Sequence, residues 1–116
     1  MSTRRYEAGI AMLDALDPGA EHSQTDIEHA ACLVEAMQIF RERNDKYGDL
    51  WKEGGAADSA FHLKSKSMRA VILLSKQAQR GGHNPEELEA QVDTGLDLVN
   101  YALFYVRNVR AGRVGG

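Results

Sequence analysis

The chain has 116 residues, enough for about one domain with a modest core. Its net charge of −3, with 43% hydrophobic and 27% charged residues, lacks the basic excess of a nucleic-acid coat and the apolar poverty of a disordered chain, so no direct nucleic-acid binding is expected. No stretch approaches the roughly 20 continuous apolar residues of a membrane span, and Glu7 interrupts the first apolar segment where a secretory signal would run on; no membrane contact and a cytoplasmic location are expected. The single cysteine, Cys32, cannot close an intrachain disulfide, and its apolar helical setting predicts a buried thiol.

Four segments read at helical period and none reads as strand, so the fold class expected is all-α: a compact antiparallel bundle of three long helices plus a short N-terminal one. The short helix covers residues 3–16 and is stopped by "DPG" at 17–19. Residues 1–22 read as a helical extension of a domain over 23–110.

A second helix is predicted to open on a capping box, Thr25 with Glu28, and to run to about Tyr47 before Gly48. Ala30, Leu33, Met37, Phe40 and Tyr47 gather on one side, with Glu28, Glu35 and Glu42 on the other. Because Ala31, Cys32 and Ile39 flank Glu35, that carboxylate is not expected to be freely solvated. Residues 48–57, "GDLWKEGGAA", have no period and read as a loop holding the only tryptophan, Trp51. Beside the glycines, Tyr47 and Trp51 are candidates to stack on a planar base, with a core plug as the plainer reading.

A third helix is expected from about Asp58 or Ser59 to Gln79. Leu63, Ala70, Val71 and Leu74 form its apolar side, and His62, Lys66, Arg69, Lys76 and Arg80 share a narrow basic sector. Asn84 as cap, Pro85 at the first helical position and Glu86 and Glu87 in the first turn mark a fourth helix reaching Arg107 or Arg110. "AGRVGG" (111–116) reads as a frayed, flexible tail.

On this last helix Asp93, Asp97 and Asn100, spaced four and three apart, share one face within about 60° of arc. Val92, Leu96 and Leu103 flank them on one side, Tyr101 and Tyr105 on the other. A carboxylate in such a setting needs a cation, a metal or hydrogen bonds. Two partners are equally good on spacing alone. Hard Mg²⁺ or Mn²⁺ prefers oxygen ligands, and Glu35, Asp93 and Asp97 from two helices could supply them; alternatively Lys66 or Arg69 forms a structural ion pair with Asp97. The four histidines, His22, His29, His62 and His83, share no ligand spacing with one another or with Cys32, so a zinc site is not expected.

The stretches "VEAMQIFRERNDKYGDLW" (34–51), "HLKSKSMRAVILL" (62–74) and "DTGLDLVNYALF" (93–104) together resemble the first nucleotide-modification-associated domain family of small phage and bacterial proteins, itself similar to MazG-like all-α nucleoside triphosphate pyrophosphatases. The resemblance covers about residues 25–110. It implies a MazG-like fold, a cytoplasmic, phage-type protein of nucleotide metabolism and a Mg²⁺ (or Mn²⁺) site on Glu35, Asp93 and Asp97. The nucleotide would be held by Tyr47, Trp51, Lys66, Arg69 and Asn100.

MazG-like pyrophosphatases carry E-x-x-E and E-x-x-D pairs. Here Glu35 is followed by the amide Gln38, and the later pair is Asp93-x-x-x-Asp97, which lowers the carboxylate count that a two-metal hydrolytic site needs. Three functions follow: a Mg-dependent nucleoside triphosphate pyrophosphohydrolase, a non-catalytic nucleotide sequestering or sensing protein, and an all-helical interaction protein. A homo-oligomer is expected, because the second and fourth helices have apolar sectors on more than one side.

Overall fold

In the computed structural model, which describes residues 3–82 and 84–115, the periodic segments are helices and no described residue is in a strand. The order is α1 (Arg4–Leu16), α2 (Gln24–Tyr47), α3 (Leu50–Glu53), α4 (Gly55–Arg80) and α5 (Pro85–Arg110). The all-α class therefore holds, with three long helices, and a four-residue helix, α3, stands inside the segment expected to be loop. No described helix is long and apolar enough to cross a membrane. The chain divides into two compact units, Met1–Asp45 and Lys46–Gly116.

In the N-terminal unit, α2 begins two residues earlier than a Thr25 cap implies. The Ser23 hydroxyl accepts the Asp26 N–H at 3.1 Å and the Ser23 carbonyl accepts the Ile27 N–H at 3.0 Å. Ser23-x-x-Asp26 offers the same hydroxyl-and-acid spacing as Thr25-x-x-Glu28, and it is the one used. Glu28 instead accepts from the Gln24 amide at 3.3 Å.

α1 runs antiparallel to the start of α2, with Arg5 ion-paired to Glu35 and Gly9 against Ala30 and Ala31. A Cβ on Gly9 would lie 3.0 Å from the Ala31 nitrogen, so glycine sets how closely these helices meet. The side of α2 that carries Leu33, Met37 and Tyr47 is exposed at all three, and only Ala30 of that set is buried. Cys32, expected to be buried, is exposed: α1 covers the Ala31–Glu35 side, and a thiol one residue round the helix lies beside it.

The C-terminal unit is built on α4 and α5, joined through the turn at 81–84. Gly81, at φ +73°, closes α4 in the left-handed conformation, with its N–H on the Ala78 carbonyl and that of Gly82 on the Gln77 carbonyl. Asn84 caps α5 by accepting the Glu87 N–H at 2.8 Å, with Pro85 next to it as expected. Cross-helix contacts at Gln77–Gln91 (2.6 Å), Lys66–Asp97 (3.1 Å) and Ser59–Asn108 (3.2 Å) keep a nearly constant residue sum, the mark of an antiparallel pair.

α4 starts at Gly55, three or four residues before the expected Asp58 or Ser59, and has no side-chain cap. Its first N–H groups are satisfied from far along the chain: Ala56 and Ala57 donate to the carbonyls of Arg113 and Val114, each at 2.8 Å. Residues 111–115, which read from sequence as a frayed tail, thus form a clasp over the first turn of α4. Gly55 makes the clasp possible, having φ +66° and a backbone that approaches so closely that a Cβ would sit 2.7 Å from both the Arg113 oxygen and the Gly115 nitrogen.

Candidate functional site

Every buried residue of α5 is polar: Thr94, Asp97, Asn100 and Asn108. Burying polar groups stabilises nothing unless each finds a partner, so each needs an account. Thr94 donates back to the Ala90 carbonyl at 2.8 Å. Asn108, wholly buried, is a structural junction: its amide donates to the Trp51 carbonyl and the Ser59 hydroxyl, both at 3.2 Å, while its oxygen accepts from Arg113 Nε at 2.8 Å. It fastens α3, α4 and the C-terminal clasp to α5. Sequence reading passed over it, although an Asn between Arg107 and Val109 carries the same signal as Asn100.

Asp97 faces α4, and Lys66 Nζ lies 3.1 Å from its Oδ2. The carboxylate side chain is 11% exposed and the ammonium side chain 30%, so the pair is shielded at the acid and open at the base. Of the two cations weighed from sequence, the hairpin register selects Lys66. Asp93, one turn earlier, is exposed, and Asn100, one turn later, is buried. Arg69, three residues beyond Lys66, is exposed and lines a shallow hollow of about 390 Å³ with Met68, Ile72 and Lys76. The rest of the basic sector is engaged in part: His62 lies 3.5 Å from Asp58, and Arg80 pairs with Glu87.

Beyond the ion pair an aromatic run continues along α4 and α5. His62 stacks on Tyr101 with centroids 4.6 Å apart; Tyr101 meets Phe104 edge-on at 5.6 Å; Phe104 stacks on Trp51 at 4.8 Å. Trp51 is also overlaid by cations, with Arg107 at 4.2 Å and Lys52 and Arg113 at 5.5 Å from its ring centre. The ring is thus engaged by its own unit rather than presented as an open stacking platform. Its indole N–H is buried and has no acceptor among the described residues. Tyr47, like Phe61 and Tyr105, is exposed, and Lys46 lies 5.3 Å from its ring centre.

Glu35 belongs to the N-terminal unit, where its side chain is 21% exposed and paired with Arg5. As expected it is not freely solvated. Gln38 is exposed. No group of three or more His, Cys, Asp or Glu side chains among the described residues is arranged to hold a metal ion, and His83 lies outside the described residues. Compared with models of known protein families, with curated proteins and with solved structures, the chain gives no match.

Proposed function

We propose that the protein binds a nucleotide along the α4–α5 seam of its C-terminal unit, as a phage-type protein of nucleotide metabolism with the MazG-like character that its sequence resembles. The observation that carries this reading is the buried, acceptor-less indole N–H of Trp51, next to three cations and at the end of an aromatic run that leads to the Lys66–Asp97 pair. A buried donor without an acceptor costs about 1–3 kcal/mol. Anionic or carbonyl oxygen supplied by a ligand offsets that cost.

In this reading Lys66 and Arg69 neutralise phosphates, and Asp93 and Asp97, adjacent turns of one helix, are the oxygen donors that Mg²⁺ or Mn²⁺ prefers. When bound, the ion screens phosphate charge from these carboxylates. Asn100 orients the ligand or a ligating carboxylate. Tyr47, an exposed ring with a cation beside it, is the one the sequence resemblance offers to a base. The protein works as a homo-oligomer. Few carboxylates and an amide at Gln38 favour holding a nucleotide over hydrolysing it, because two dications about 3.5–4 Å apart need more negative charge than this.

The test is a panel of nucleoside mono-, di- and triphosphates with and without Mg²⁺, read by melting temperature and by pyrophosphate release. A Mg²⁺-dependent rise in melting temperature without turnover is expected, and Asp97→Asn should abolish the rise while the protein stays folded. Pyrophosphate release would move the protein to the hydrolases. No nucleotide-dependent shift at millimolar ligand would end the proposal and leave the interaction-protein reading.

A further inference from the structure

α5 is polar where it is buried and carries an apolar stripe where it meets water. Leu88, Val92, Leu103, Val106 and Val109 are between 39% and 52% exposed, while its buried positions are all polar. From Leu88 to Val109 alternating steps of four and three pass through Val92, Gly95, Val99, Ala102 and Val106, the repeat with which one helix lays a seam along another. No charged residue falls on it.

Gly95 gives the seam a point of close approach on either side of its middle. In mid-helix it costs about 1 kcal/mol relative to alanine, and a Cβ added there would meet nothing within 4 Å. Among the described residues of its own unit none requires a glycine at this place, whereas a helix crossing from outside does.

The geometry points to a second copy of this chain, its α5 packed antiparallel on this one about a two-fold axis near residues 100 and 101. Charge fixes the direction. The N-terminal end of the seam is bordered by Glu89 and its C-terminal end by Arg110, both exposed. Antiparallel pairing sets Glu89 of each copy beside Arg110 of the other, and parallel pairing would set like against like. The same register seats Val106 of one copy over Gly95 of the other and Val99 over Ala102, large side chains on small ones. A two-fold makes every contact twice, as a self-complementary surface requires. This interface does not depend on what the polar side of α5 binds.

Sedimentation equilibrium of the full chain should show a dimer at micromolar concentration. Gly95→Leu should weaken association at least tenfold while retaining the helical spectrum, since leucine is the better helix former. Glu89→Arg should weaken it about tenfold, and adding Arg110→Glu should restore it. In a Cys32→Ser background, Val99→Cys should oxidise to a disulfide-linked dimer and Val92→Cys should not. A monomer up to about 100 µM, association untouched by Gly95→Leu, failure of the charge swap to rescue, or equal cross-linking at positions 92 and 99 would each overturn the inference. The last would establish a parallel pair, and insensitivity to Gly95→Leu would place the contact on another face.

Discussion

The Lys66–Asp97 pair supports a double-mutant cycle whose size follows from its geometry. At 3.1 Å and an effective dielectric near 20, the gross attraction is about 5 kcal/mol. Much of that is offset by the cost of withdrawing the carboxylate from water, while the 30% exposed ammonium can turn back to solvent when its partner is changed. The net coupling should therefore fall between the small values of surface pairs and the 3–5 kcal/mol lost when a fully buried pair is broken, at about 1–2 kcal/mol. Lys66→Met, Asp97→Asn and the double variant, unfolded thermally or in urea, isolate this term whatever else Asp97 touches. If Asp97 also meets a metal-bound phosphate, saturating Mg²⁺ and nucleotide should lower the coupling towards zero, because the carboxylate exchanges its ammonium for the dication. Coupling below about 0.3 kcal/mol would mean that the contact does not stabilise the fold. Coupling unchanged by ligand would make Asp97 a structural residue and remove it from the binding site.

Gly55→Ala should cost about 2–4 kcal/mol, read as a lower urea midpoint, because it combines a disfavoured positive φ with displacement of the 113–115 segment that caps α4. Deleting residues 112–116 should reproduce most of that loss. Ser23→Ala should destabilise by about 1 kcal/mol and Thr25→Ala by much less, which thermal melts of the two variants will distinguish. Gly9→Ala should lower the melting temperature, since its Cβ would press on the Ala31 backbone 3.0 Å away, and a neutral result would show that α1 can shift freely.

Where structure follows from neighbouring residues, sequence was a good guide. Asn84, Pro85 and two glutamates mark the start of α5 because the cap is a side chain three residues from the N–H it accepts. The start of α4 left no such mark, because its caps are backbone carbonyls 57 positions away and any residue type can supply a carbonyl. α3 is a single turn, too short to show a period. The second helix has two equivalent capping patterns two residues apart, and the hydrogen bond from Asp26 N–H to the Ser23 hydroxyl, not any local sequence difference, decides between them. At the site, the demand of Asp97 for positive charge could be read from its apolar neighbours. Its partner could not, since Lys66 and Arg69 lie on the same sector and only the hairpin register selects between them.

The clasp over α4 also sets an order of events during synthesis. The N–H groups of Ala56 and Ala57 leave the ribosome 57 residues ahead of the carbonyls that will receive them. At about 5–20 residues per second that interval is roughly 3–11 s. Throughout it α4 has an open first turn, and until α5 emerges its Phe61, Met68, Val71 and Ile72 are available to whatever binds nascent apolar helices. Once the turn at 81–84 has emerged the hairpin can zip from the Gln77–Gln91 end, with Asn108 and Arg113 arriving last to close it. Slowing translation in this window should lengthen chaperone contact, and stabilising α4 by itself should shorten it.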